Sequence, residues 1–103
     1  MIITTTDHVP GEKVSRVLGV VKGSTVRAKH LGREFTVGLK NLKNEMANFT
    51  RAMNEAREEA LKMMAGEAEK IKADAIINVQ LTTSALADVA EVLAYGTAVK
   101  LWD

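Results

Sequence analysis

The sequence predicts an α+β fold: an antiparallel-type sheet from N-terminal and C-terminal strands, packed against one long helix. Three observations carry this. Residues Ile2 to Thr6 and Val14 to Lys29 are rich in β-branched side chains, the stretch from Leu39 to Ala73 switches to a helical period, and Ala75 onward returns to alternation. No internal repeat, low-complexity tract or linker divides the 103 residues, so a single domain spanning residues 1–103 is expected. A chain of this length can bury roughly two thirds of its unfolded surface in one small core.

Ile2, Ile3, Thr4, Thr5 and Thr6 are β-branched without a break, which suits a short extended segment. Pro10 and Gly11 end it, because proline sets φ for the first corner of a turn and glycine accepts the positive φ of the next. From Val14 to Lys29 the apolar residues are Val14, Val17, Leu18, Val20, Val21 and Val26, interrupted by Gly19 and Gly23. Strict alternation fails at Val17-Leu18 and at Val20-Val21. Two readings fit: one long strand with a bulge near Gly19, or two strands joined near Lys22 to Ser24.

Leu39, Leu42, Met46, Phe49, Met53, Ala56, Ala60 and Met63 are spaced by threes and fours, which places them on one helical stripe; after Met63 the stripe drifts to Met64, Ala68 and Ile71. Intervening positions are charged, and Glu58 with Lys62 has the favourable acid-first order at four residues. Asn44 is a candidate N-cap; Asn41 or Thr36 would cap an earlier turn, with a short helix near Leu39 preceding the long one. Gly66 costs such a helix about 1 kcal/mol relative to alanine without ending it. After the helix, Ile77, Val79 and Leu81 alternate with Asn78 and Gln80, the pattern of a half-buried strand. Thr83 to Asp88 then reads as a turn, and Val89 to Trp102, broken at Gly96, as the returning strand of a hairpin.

Composition excludes several function classes. Fourteen Lys and Arg against thirteen Asp and Glu give a net charge of +1, too balanced for nucleic acid or an anionic membrane as main partner. The absence of cysteine removes disulfides, thiolate zinc sites, iron–sulfur clusters and cysteine nucleophiles. Met1 to Pro10 lacks the basic start and apolar run of a signal peptide, so a cytoplasmic location is expected. Charge is distributed unevenly, with +3 on residues 1–38, +1 on 39–72 and −3 on 73–103. Opposite signs favour the two strand-forming ends lying side by side, within one sheet or across a subunit boundary.

Candidate sites are few. His8 and His30 are the only histidines; Asp7 and His8, with Glu12 close by, would form a carboxylate–imidazole metal site if the fold brought His30 near. Ligand spacing is absent, and exposed or structural histidines are the simpler reading. The glutamates of the helical stretch fall mostly on its polar side, so they read as a solvated face rather than as acids and bases. Gly19 to Thr25 lacks the Gly-Lys-Ser/Thr ending of a phosphate loop. Met46, Met53, Met63 and Met64 suit core or subunit packing, and Trp102 closes the core or touches a neighbour. No nucleophile is paired with a base, so no enzymatic activity and no cofactor are expected.

A set of scattered pieces adds a resemblance. Thr4-Thr5-Thr6, Pro10-Gly11, Gly19-Val20-Val21 with Gly23, Gly38-Leu39, Glu55-Ala56-Arg57 with Ala60, Ala73-Asp74-Ala75-Ile76, and Gly96-Thr97-Ala98-Val99-Lys100 follow one another in an order and spacing that resembles the YbjQ-like family, small uncharacterised proteins often labelled "putative heavy-metal-binding". The chain departs from the family pattern where Lys43 and Asn44 replace a usual Gly-Gly pair, where Lys72 stands in place of a glycine before Ala-Asp-Ala, and at Gln80, where a charged residue is common. The resemblance implies a dodecin-like α+β subunit that closes into a homo-oligomeric ring, a pentamer, and implies no established reaction. Together the residues and the resemblance lead to the expectation of a non-enzymatic, ring-forming binding or scaffold protein without nucleic-acid or membrane partners. The alternative is a metal-ion or small-ligand protein using polar sites such as Asp7, His8 and His30 at subunit boundaries.

Overall fold

The Val-rich stretch after Pro10-Gly11 is one strand, not two. The computed structural model describes residues 1–28, 39–86 and 88–103, and its elements run β1 (Ile2–Ile3), β2 (Val14–Ala28), α1 (Leu39–Lys70), β3 (Ala75–Leu86) and β4 (Val89–Leu101). They form one four-stranded sheet in the order β1-β3-β4-β2 with α1 on one face. β4 pairs antiparallel with both β2 and β3, but β1 pairs parallel with β3. The sheet is therefore mixed rather than purely antiparallel. β1 sits outside β3, and the chain must cross beneath the sheet to begin β2 at the opposite edge. The expected turn over Thr83 to Asp88 is shorter, since pairing continues to Leu86↔Val89.

Bulges decide which side chains reach the core. In β2 the register slips between Val17 and Gly19, and Gly19 takes φ +132°, a conformation that L side chains rarely adopt. In β3 it slips between Ile77 and Gln80, with Asn78 at φ 53°. Alternation had placed Ile77, Val79 and Leu81 on one face; the extra residue at Asn78 instead puts Ile76 and Val79 in the main core and Ile77 in a second cluster. Gly96 makes room for this. A Cβ there would lie 2.7 Å from a methyl of Ile76 and 3.0 Å from one of Val79.

The helix comes nearest the sheet at Gly23, where an added Cβ would stand 2.7 Å from Met63 Cβ and from the Met64 nitrogen, and closer still to the Ala60 carbonyl. Two residues along, the buried Thr25 hydroxyl donates to the Ala56 carbonyl (2.9 Å), and Arg27 pairs with Glu59 (2.7 Å). The buried helical stripe is Met53, Ala56, Ala60, Met64 and Ala68, against Val21, Val92, Ala94 and Ala98 of the sheet. Met64 is in the core and Met63 is half exposed, so the drift of the stripe begins one turn earlier than the spacing suggested. The helix is continuous from Leu39, so Asn41 and Asn44 lie inside it rather than capping it; Thr36 lies outside the described residues.

At its other end the helix closes with paired backbone bonds, Ala73 N–H to the Ala68 carbonyl and Lys72 N–H to the Glu69 carbonyl, both 3.0 Å. This is the Schellman arrangement, which requires a left-handed residue, and Lys72 supplies it at φ 62°. Asp74 then ties the corner together. Its carboxylate accepts the Leu101 N–H (2.8 Å) and the Lys100 ammonium (3.3 Å), which also donates to the Lys72 carbonyl (3.1 Å).

Among the described residues, the face away from the helix is covered only in part. Residues 4–13 cross one end of it, with Thr4 N–H donating to Ile76, Val79 N–H to Thr4 and Asn78 N–H to Thr6. Beneath them a small cluster of Ala75, Ile77 and Val99 is buried, with Val9 and Leu101 packed against it. Beyond that strap, Val20, Lys22, Ser24 and Val26 alternate with the helix-facing Val21, Gly23 and Thr25 and point to the open face. Val17, Val20 and Val26 are 62%, 75% and 55% exposed.

Candidate functional site

The N-terminal strap carries the only predicted site residues that the structure brings together. Asp7 Oδ1 lies 2.7 Å from His8 Nδ1, and both side chains are mostly exposed. Thr4 and Thr6 share a hydroxyl–hydroxyl bond of 2.8 Å, and the Thr6 hydroxyl donates to the His8 carbonyl, which stiffens the turn. The hydrogen bond from His8 and its charge hold the Asp7 carboxyl below its ordinary value; slight desolvation opposes them, and a backbone hydrogen bond of Asp7 adds to the lowering. With the proton on Nδ1, Asp7 orients the ring and leaves Nε2 facing solvent. His30 lies outside the described residues.

Among the described residues no group of three or more His, Asp or Glu side chains could hold a metal ion. Heavy metals favour thiolates, and the chain has no cysteine. Thioether offers little more, since Met53 and Met64 are in the core while Met46 and Met63 stand apart on the exposed helix surface. The described residues therefore do not fit a heavy-metal centre. The glycines of the Gly19–Thr25 stretch lie inside β2, one at a bulge and one under the helix, so they form no phosphate cradle.

A concavity that sequence reasoning missed runs along the flank of α1 beside β3. Because Gly23 draws the helix over β2 and β4, the β3 side is left open. A groove of about 660 Å³ is lined by residues including Arg51, Arg57, Glu58, Leu61, Lys62 and Leu81. It adjoins a smaller hollow of about 330 Å³ formed by Ile3, Glu58, Leu61, Lys62 and Ala65. The one available signal was the width of the apolar helical face, on which Leu61 and Ala65 flank the buried Met64 and Ala68. Trp102 closes no core. It is 64% exposed, with its backbone N–H donating to the Lys13 carbonyl at 2.9 Å.

Comparison with known proteins agrees with this architecture. A family model described as "Putative heavy-metal-binding" matches residues 1–102. The chain is 52% identical to a UPF0145 protein of Archaeoglobus fulgidus, with 98% of this chain and 95% of that one aligned. It is 53% identical to a UPF0145 protein of Methanoculleus marisnigri, over 98% and 96% of the two chains, and 50% identical to one from Thermotoga maritima, over 98% and 97%. A crystal structure of a DUF74-family protein of unknown function from Pediococcus pentosaceus superposes with a TM-score of 0.68 at 17% identity, covering 99% of this chain and 98% of that one. That likeness shows the fold. With the family model matched from end to end and relatives near half identity, the chain belongs to the YbjQ family of UPF0145 proteins.

Proposed function

We propose that this protein is a non-enzymatic subunit of a homo-oligomeric ring, a pentamer, that acts in the cytoplasm as a binding or scaffold protein. The observation that carries this is surface. A compact monomer of 11.2 kDa exposes about 5,700 Å² and has a radius of gyration near 13 Å, whereas this chain exposes 7144 Å² with a radius of 17.7 Å. The excess of roughly 1,400 Å² approaches what a subunit loses to two standard interfaces at about 800 Å² each. Free sheet edges support the same reading. Among the described residues β2 is a fifteen-residue edge strand, and the N-terminal segment pairs with β3 only as far as Val79, so β2 and the second half of β3 offer backbone to a neighbour. Edges of different sequence on opposite sides favour head-to-tail association, which closes into a ring.

The open sheet face tests this reading. A carboxylate at Val20 stays solvated in a monomer but is desolvated if a neighbour covers the face. Val20→Glu is expected to reduce the mass in light scattering while leaving the circular dichroism spectrum unchanged; an unaltered assembly would show that this face stays open.

A second reading, metal-ion or small-ligand binding, rests on the Asp7–His8 pair, which presents one oriented imidazole per subunit. A ring could bring several together at an axis, with His30 as a further donor. Calorimetry with zinc, copper and cadmium discriminates the two. The scaffold reading expects binding no tighter than tens of micromolar, about −6 kcal/mol; a submicromolar stoichiometric site abolished by His8→Ala or His30→Ala would favour the second.

A further inference from the structure

The single helix covers its sheet unevenly. Gly23, Ala94 and Leu81 form one row across β2, β4 and β3; the first two lie under α1, whereas Leu81 is 43% exposed. Thr83 and Ala85 continue the uncovered strip on β3, although their cross-strand partners Val92 and Ala90 are buried. Met63 is the counterpart at the opposite edge, half exposed, with its Cβ over Gly23 of β2. We propose that β2 of the next copy in the ring adds in parallel to the second half of β3 and carries that copy's Met63 into the groove over Leu61 and Leu81.

The two edges match in length, direction and charge. Among the described residues β3 has an open edge from Gln80 to Leu86, and residues 22–28 of β2 lie in the same rows, also with an open edge. Both strands run antiparallel to β4 and so parallel to each other, and rotation about an axis along the strands keeps that direction from copy to copy. Charge selects this seam over the pairing of like edges. β2 holds Arg16, Lys22 and Arg27 and no acid, while residues 75–99 hold Asp88 and Glu91 and no base. Pairing β2 with β2, or β3 with β3, would set like signs together. Strand spacing then places the helices. Continuing the sheet in the order β2-β4-β3-β2 sets consecutive helix axes three strands, about 14 Å, apart. Direct helix packing needs about 8–10 Å. The flexible side chain of Met63 bridges the remaining gap of roughly 5 Å above Leu81.

The seam rests on the ring reading, and one set of measurements separates their failures. The chain has no cysteine, so Met63→Cys combined with Leu81→Cys supplies two thiols that a short bismaleimide can join. Within one copy the body of α1 lies between these positions, Met63 over β2 and Leu81 beside the opposite flank, so a link forms only between copies. The expected result is a ladder of covalent species up to the size of the assembly on a denaturing gel, with each singly substituted chain running as a monomer. Met63→Lys places its charge at a position that a monomer leaves solvated, and should weaken assembly by about 100-fold or more at unchanged helix content. An oligomer that yields no ladder, or a Met63→Lys protein of unaltered mass, would overturn the seam and leave the ring standing. A monomeric mass for the unsubstituted protein would overturn both.

Discussion

Lys72 is the residue where local chemistry and backbone geometry disagree most. It holds the left-handed position of a Schellman cap, φ 62°, where glycine carries no steric penalty. Its ammonium is dispensable there, because the carbonyl that accepts Lys100 belongs to the backbone. Lys72→Gly is expected to stabilise the fold by about 0.5–1 kcal/mol, the relief of strain being reduced by the greater freedom of glycine in the unfolded chain. Urea titration at fixed protein concentration checks it, and a lower midpoint would contradict it. Two residues on, the Leu101 N–H bond holds the Asp74 carboxyl below its ordinary 3.8; desolvation opposes this, while the Lys100 bond and charge reinforce it. A folded value below the unfolded one means stability that is present above the unfolded value and lost as the pH falls through the folded one. The advantage of wild type over Asp74→Asn should therefore be constant above about pH 5 and shrink below 3.8. An advantage independent of pH down to acid unfolding would assign the corner to packing alone.

At the level of elements, the helical period was readable because Met53, Ala56 and Ala60 recur at three and four and are buried. The face of β3 was not, because one left-handed residue, Asn78, inverts everything after Ile77 and nothing in an alternating string marks which residue will bulge. Placement of α1 was equally hidden. It follows from Gly23, whose missing side chain admits the Ala60–Met64 turn, and that choice opens the flank where Leu61 and Ala65 line the hollow. The Asp7–His8 contact could be anticipated from adjacency, but no spacing could say whether further donors converge on it. Two glycines should consequently respond in opposite directions to alanine. Gly23→Ala pushes a methyl into helix backbone and is expected to cost about 2–3 kcal/mol. Gly66→Ala meets nothing within 4 Å in a helix interior and should gain about 0.5–1 kcal/mol. Thermal denaturation of the pair decides it; two shifts of the same sign would mean that the helix does not approach the sheet at Gly23.

Across the whole molecule, the N-terminal and C-terminal segments do lie side by side in one sheet, as their opposite charges favoured, with β2 paired to β4 from Val14↔Leu101 to Ala28↔Val89. Arg27 turns to Glu59 of the helix, and Arg16 sits opposite Lys100, which turns to Asp74. Backbone pairing and the apolar core hold the two ends together. The molecule is 61 Å long and about 20 Å in its other dimensions, with exposed valines on one face and, among the described residues, a long edge strand in β2. No helix of the described residues is long and apolar enough to cross a membrane, so a lipid bilayer spanned by α1 is not what covers that surface. We propose that self-association into a ring covers it. Light scattering on the untagged protein at micromolar concentration tests it most directly: a mass near 56 kDa, five copies of the 11.2 kDa chain, is the result expected, and a single-chain mass of 11.2 kDa would contradict it.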